Sequence, residues 1–288
     1  MIFLNRLNTK MELSDKKDYS SKSTFAVKPS RRDKPRAHLS VIIPVHNKGK
    51  TISVLLSNIK EALNSTLQSY EIVVVDDGSL DNTSGVLQKE QELDSRMKIV
   101  SYIPNRGKGH AVKTGVMESC GNIVIFVDGD LDISHNKIKD YVNELENCDL
   151  VIASKRHPES KVNAPISRRF LSRMFSLLVR FSIGLKVKDT QSGLKAGNGD
   201  VLRTIFRIML VKRYAFDVEL LTIATMLNLK IREMPIEINL DHSFKLRDIV
   251  KMLLDVASIT YRYRIKRWYY REILLLQSEV STSTDKKN

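Results

Sequence analysis

The stretch that most constrains this chain is Ile123–Val127, five consecutive apolar residues that end abruptly in carboxylates at Asp128, Asp130 and Asp132. An unbroken apolar run of that length fits a strand buried on both faces, the habit of parallel sheets. Carboxylates at alternate positions raise one another's pKa unless a cation neutralises them. Oxygen ligands at the end of a strand suit a hard ion such as Mg²⁺ or Mn²⁺. An ion held there would in turn hold a diphosphate. Taken alone, an Asp-x-Asp sequence is more often a solvated acidic turn, so the flanking segments have to decide.

Those segments repeat one pattern. Leu39–Val45 and residues 71–77 are further buried runs, and Met97–Tyr102 and residues 150–153 are shorter ones. Between them lie helical spacings: residues 51–67 through Ile52, Leu55, Leu56, Ile59 and Leu63, a segment capped by Asp81 or Asn82, residues 111–119, and residues 134–145. Strands alternating with helices, without hairpin turns, predict crossover units and an α/β fold with a mainly parallel sheet flanked by helices. Ligands of such sheets bind beyond the carboxyl ends of the strands, where Asp76, Asp77, Asp128 and Asp130 fall.

The second half changes character. Residues 166–185 set Arg169, Arg173, Ser176 and Arg180 opposite Phe170, Met174, Phe175, Leu177, Leu178 and Phe181, an amphipathic helix whose polar side is only cationic. Residues 186–199 read as a loop, 201–210 and 215–227 as helices, and 230–240 as extended chain. Residues 244–261 are again amphipathic and run into a basic aromatic segment over 261–271. The expected organisation is a disordered basic leader over 1–37, a main domain over 38–243, an amphipathic membrane-surface region over 244–277 and a flexible tail over 278–288.

The net charge of +14 on 288 residues implies an anionic partner: nucleic acid, phospholipid headgroups or a phosphorylated substrate. Two cysteines, Cys120 and Cys148, make no disulfide framework and point to a reducing compartment. No run approaches the roughly eighteen apolar residues that span a bilayer. Contact with a membrane is therefore expected from its surface.

Val41-Ile-Ile-Pro-Val-His-Asn47, Val73-Val-Val-Asp-Asp-Gly-Ser79, Asn105-Arg-Gly-Lys-Gly109 and Asp128-Gly-Asp130, in that order, resemble the family-two glycosyltransferases of the GT-A fold, the nucleotide-diphospho-sugar transferase fold. Val187-Lys-Asp-Thr-Gln-Ser-Gly-Leu-Lys195 and Phe216-Asp-Val-Glu219 extend the likeness toward the dolichyl-phosphate glucosyltransferases, with the dolichyl-phosphate mannose synthases as close relatives. The resemblance implies inverting, metal-dependent transfer of a hexose from UDP-glucose, or alternatively GDP-mannose, to dolichyl or another polyprenyl phosphate. Such an enzyme would work as a peripheral protein on the cytoplasmic face of a membrane, with or without an anchoring subunit.

The same resemblance assigns residues. Pro44, His46, Asp76 and Asp77 would meet the nucleoside, and Asp128 and Asp130, assisted by Asp132, the metal. Gly107 and Gly109 precede a helix and let backbone approach an anion closely, while Lys108 is either a phosphate contact or a plain surface lysine. Asp189, Gln191, Asp217 and Glu219 are implied as pocket residues, with Asp217 or Asp189 as a base should one be needed; acids opening a helix are the simpler explanation of Asp217 and Glu219. Lys155, Arg156, Arg168, Arg169, Gln191 and Lys245 would face the acceptor phosphate. Phe170, Phe175, Phe181, Trp268, Tyr269 and Tyr270 are expected at headgroup level, unless these helices pack on the sheet instead. The basic aromatic run could also stack nucleic-acid bases, but no nucleic-acid module is present and no such partner is expected.

Overall fold

The computed structural model describes residues 38–64, 69–129, 137–240 and 246–285. The predicted leader, Asp130, Asp132 and Lys245 lie outside the described residues. Strand β1 (Leu39–Val45) is buried at every position. It pairs in parallel with β2 (Tyr70–Asp77) on one edge and β4 (Ile123–Val127) on the other. Its side chains alternate between two cores, Val41 and Ile43 into one and Ile42 into the other. This two-sided burial is why the sequence shows an unbroken apolar run rather than alternation.

Between these strands lie α1 (Ile52–Asn64), α2 (Thr83–Leu93), β3 (Met97–Tyr102) and α3 (Lys108–Glu118). Helix α1 buries the five apolar residues its spacing picked out. The chain continues through α4 (Ile138–Glu144), β5 (Leu150–Ser154), β6 (Lys161–Asn163) and α5 (Ile166–Ile183), and then β7 (Leu194–Asn198), α6 (Gly199–Ile208) and α7 (Phe216–Met226). It ends in β8 (Ile231–Pro235), β9 (Glu237–Asn239), α8 (Leu246–Thr260), a π-helical turn (Tyr261–Ile265) and α9 (Trp268–Asp285).

The seven-stranded sheet has the order β3-β2-β1-β4-β7-β5-β8, and β6 with β9 forms a separate parallel pair. The α/β architecture is the expected one, with one correction inside the sheet. Residues 194–198, read as loop, form β7, which runs antiparallel between β4 and β5. Its sequence, Leu-Lys-Ala-Gly-Asn, hides the strand because a lysine and a glycine interrupt the apolar pattern. Lys195 is nevertheless fully buried. The extended chain over 230–240 divides at Ile236 into β8 and β9, and α9 continues past Ser278, where a flexible tail was expected.

Helix α3 lies on β1 and β2, and Gly115 is the point of closest approach. A Cβ there would stand 2.3 Å from Ile42 Cγ2 and 3.1 Å from Val75 Cγ2. Both are methyls on buried β-branched residues that cannot swing away. Gly115→Ala should therefore destabilise the protein by about 2 kcal/mol in urea unfolding, although alanine is worth about 1 kcal/mol more than glycine in a helix interior.

Candidate active site

One cleft of about 1920 Å³ opens at the carboxyl ends of β1, β2 and β4 and runs along α5 and α8. Its floor depends on two glycines. Gly129 follows β4 so closely beside β1 that a Cβ would meet the Pro44 carbonyl at 2.5 Å. Gly107 has φ +98°, a conformation costly for any other residue, and ends the loop before α3. Pro44, His46, Asp77, Gly107, Lys108 and Asp128 all line the cleft.

Asp76 and Asp77 are built into the loops rather than left open. The Asp76 carboxylate accepts the Ser79 N–H (3.0 Å) and the Ser84 hydroxyl (2.6 Å), and Asp76 does not line the cleft. The Asp77 carboxylate accepts the N–H groups of Arg106 (2.7 Å) and Gly107 (2.9 Å), so it shapes the glycine turn. His46 donates from Nδ1 to the Asp77 carbonyl (2.9 Å), leaving an exposed ring at the mouth. Gly109 serves packing: a Cβ would meet Phe216 Cβ at 2.7 Å and the Val211 carbonyl at 2.8 Å.

Charges alternate along the floor. The Lys108 ammonium pairs with the Asp128 carboxylate, and Lys195 Nζ lies 2.9 Å from Asp217 Oδ1. Burial pushes the Asp217 carboxyl up, against the pull of Lys195 and Lys108. Asp217 thus lies buried at the cleft wall with its proton affinity raised, the property a base needs.

Asp189 differs. Its carboxylate accepts the N–H groups of Lys155 (2.9 Å) and Gln191 (3.1 Å) and pairs with Lys155 Nζ at 3.0 Å. Burial alone would raise it, but Lys155 and these N–H groups prevail and hold it below the usual carboxylate range. It is a poor base and a good anchor for Lys155. Sequence reasoning missed Glu233, whose carboxylate accepts the N–H groups of Lys188 and Asp189 at 3.1 Å and so fixes this loop.

Lys155, Arg156, Arg168, Arg169 and Gln191 also line the cleft. Glu219 does not: it is fully buried on the far side of α7. Tyr269, expected at a membrane surface, is also fully buried, because its hydroxyl donates to Glu219 at 2.5 Å. Trp268 and Phe175 pack partly against the core, whereas Phe170 and Phe181 stand 67% and 82% exposed.

Residues 40–206 match glycosyl transferase family 2. The chain belongs to this family. Among curated relatives of this glycosyltransferase, the dolichyl-phosphate beta-glucosyltransferase ALG5D of Trichomonas vaginalis is 31% identical, over 83% of this chain and 78% of its own. The dolichyl-phosphate beta-glucosyltransferases of Dictyostelium discoideum and Mus musculus are 32% and 31% identical, over 80% and 85% of this chain and 76% and 81% of theirs. A solved structure, glucosyl-3-phosphoglycerate synthase from Mycobacterium tuberculosis with Mn²⁺, uridine diphosphate and glucosyl-3-phosphoglycerate, aligns with a TM-score of 0.59 at 22% identity. It covers 78% of this chain and 79% of that one, a likeness of fold.

In the glycosyltransferase, the depressed Asp189 makes stability depend on pH with a definite sign. A carboxyl whose folded pKa lies below its unfolded value stabilises above the unfolded value and loses that contribution as pH falls through the folded one. Asp189→Asn should cost about 2 kcal/mol at pH 7. The gap from the native protein should close progressively below about pH 4, as read from urea midpoints across pH.

Proposed function

We propose that this glycosyltransferase transfers glucose from UDP-glucose to the phosphate of dolichol or another polyprenol at the cytoplasmic face of a membrane. The observation that carries the reading is the mixed lining of the cleft. Asp128, Lys108 and Asp217 share its lining with the cations Lys155, Arg156, Arg168 and Arg169 and with the apolar Phe175, Leu178, Met252 and Leu253 of α5 and α8. A polyprenyl phosphate combines the two matching characters, an anionic head and a hydrocarbon tail. The similarity to dolichyl-phosphate beta-glucosyltransferases supports glucose as the sugar and dolichyl phosphate as the acceptor.

The Gly107 turn presents backbone to the nucleotide, and His46 offers a flat ring at the mouth. Lys155 and the arginines offset the repulsion between acceptor phosphate and donor diphosphate. A phosphate monoester, with a second pKa of about 6, arrives already anionic, so its oxygen can displace the nucleotide directly with inversion. Asp217 is the group on hand to take a remaining proton.

Asp128 fits a hard divalent ion such as Mg²⁺ or Mn²⁺, since its carboxylate faces the cleft and already draws a cation, the Lys108 ammonium. Asp130 and Asp132 would join it by sequence position. When bound, the ion supplies positive charge to the departing nucleotide.

No helix among the described residues is long and apolar enough to cross a membrane. Surface docking has support in α5, which carries four arginines and no carboxylate beside exposed Ile166, Phe170 and Phe181. The π-helical turn lies next to it, with Arg264 donating to the Phe181 carbonyl at 3.4 Å. An anchoring subunit would add to this surface.

The deciding experiment supplies purified protein with polyprenyl phosphate in vesicles, Mg²⁺ or Mn²⁺, and labelled UDP-glucose beside labelled GDP-mannose. Label from UDP-glucose should enter the organic phase, be abolished by chelator, and fall about 100-fold or more in Asp128→Asn. Transfer from GDP-mannose alone would replace the sugar, and transfer from neither would remove the acceptor class. In co-sedimentation, the protein should bind anionic vesicles over neutral ones. Replacing Arg169, Arg173 and Arg180 together by alanine should weaken this by about 1 kcal/mol per residue.

A further inference from the structure

Glu219 lies two residues after Asp217 on α7, and two residues along a helix face nearly opposite ways. Asp217 lines the cleft; Glu219 points away from it into the protein with no exposed surface. Its Oε2 accepts two consecutive N–H groups, those of Leu210 (3.0 Å) and Val211 (2.7 Å). Its Oε1 accepts the Tyr269 hydroxyl of α9 at 2.5 Å and lies 3.5 Å from the Arg262 guanidinium of the π-helical turn. Arg262 also donates to the Tyr269 oxygen at 3.0 Å, so the chain of bonds runs in one direction onto Glu219. Burial pushes the Glu219 carboxyl up, and Tyr269, the loop N–H groups and Arg262 pull it back.

The loop that Glu219 grips, residues 209–215, joins α6 to α7 and forms the back of the nucleotide turn. Its Lys212 carbonyl accepts the His110 N–H at 3.0 Å and stands 2.6 Å from where a Cβ on Gly107 would be. Its Val211 and Arg213 carbonyls close on Gly109 in the same way. Its Arg213 and Tyr214 side chains line the cleft, and the Tyr214 carbonyl accepts from Gln191 Nε2 at 3.3 Å. Asp255 of α8 lies in the field of Arg213 and Arg262. The loop, Glu219, Arg262 and Tyr269 all lie beyond residue 206, where the match to the family ends.

We propose that Glu219 is a positioning residue: clamped by Tyr269 and Arg262, its carboxylate fixes the 209–215 loop against the Gly107 turn, so the C-terminal helices set nucleotide affinity without touching the nucleotide. The assignment rests on the proposed role of the Gly107 turn in holding the sugar nucleotide. Apolar packing alone would suffice to hold α9 on the core. A buried carboxylate spanning from α9 to two consecutive amides of a cleft loop does more, because it fixes that loop's backbone in register with the turn.

The test uses the full chain with Tyr269→Phe, which removes one hydroxyl, and Glu219→Gln. The control is Ile273→Ala, which loosens the packing of α9 on the core but leaves the Glu219 contacts in place. Calorimetry with uridine diphosphate and Mg²⁺ should show affinity weakened about five- to tenfold in Tyr269→Phe, with a matching rise in KM for UDP-glucose and a smaller change in kcat. Glu219→Gln should weaken it at least as much, and Ile273→Ala should keep native affinity despite a lower unfolding midpoint. Amide hydrogen exchange at Leu210, Val211 and His110 should quicken in Tyr269→Phe without any ligand. Native exchange at these amides, or equal loss of affinity in Tyr269→Phe and Ile273→Ala, would overturn the proposal. A native protein that binds uridine diphosphate yet glucosylates no lipid phosphate would remove only the acceptor reading, and the affinity comparison would still decide the role of Glu219.

Discussion

The parallel pairing of β1 with β4, from Leu39 opposite Ile123 to Ile42 opposite Phe126, is the constraint on which the site depends. It brings the ends of two strands far apart in sequence side by side, so that Pro44 and His46 share one edge with Asp128. Gly129 is part of the same arrangement, because only a residue without Cβ passes the Pro44 carbonyl at that distance. A slip of one residue in this pairing would turn Asp128 from the cleft and send the apolar set of β4 to the opposite cores.

Charge balance then determines what the cleft does. The chain is strongly basic, yet the carboxylates at the floor are held close to ammonium groups, Asp128 to Lys108, Asp217 to Lys195 and Asp189 to Lys155. Buried charges of either sign alone would cost several kcal/mol each. Alternation lets the fold place both signs within one enclosed space. The consequences differ with the surroundings: Asp189, bonded by two N–H groups and an ammonium, is held as an anion, while Asp217 keeps a raised proton affinity.

The C-terminal helices have two faces with different work. One face joins the main core through Val256, Ile259 and Tyr269. The other leaves Leu254, Ile265, Tyr270 and Leu274 exposed beside arginines and lysines. The alternatives of docking on a membrane or packing on the sheet are thus not exclusive, since opposite sides of one helix can do each. Glu219 stands where the inward face meets the loop behind the Gly107 turn.

The α/β class, the buried strands β1, β2 and β4, the faces of α1 and the strand-end position of Asp76, Asp77 and Asp128 were legible in the sequence. Hydrophobic periodicity and turn chemistry are local signals, and the order of motifs marked the family. Strand β7 was not legible, because Lys195 breaks the apolar pattern and its charge is matched by Asp217, which lies on another element. Nor could the sequence separate Asp189, Asp217 and Glu219, three acids of one motif set. The tertiary structure gave one to Lys155, one to the cleft wall and one to Tyr269, because a carboxylate's role follows from the partners and the burial that long-range packing brings to it.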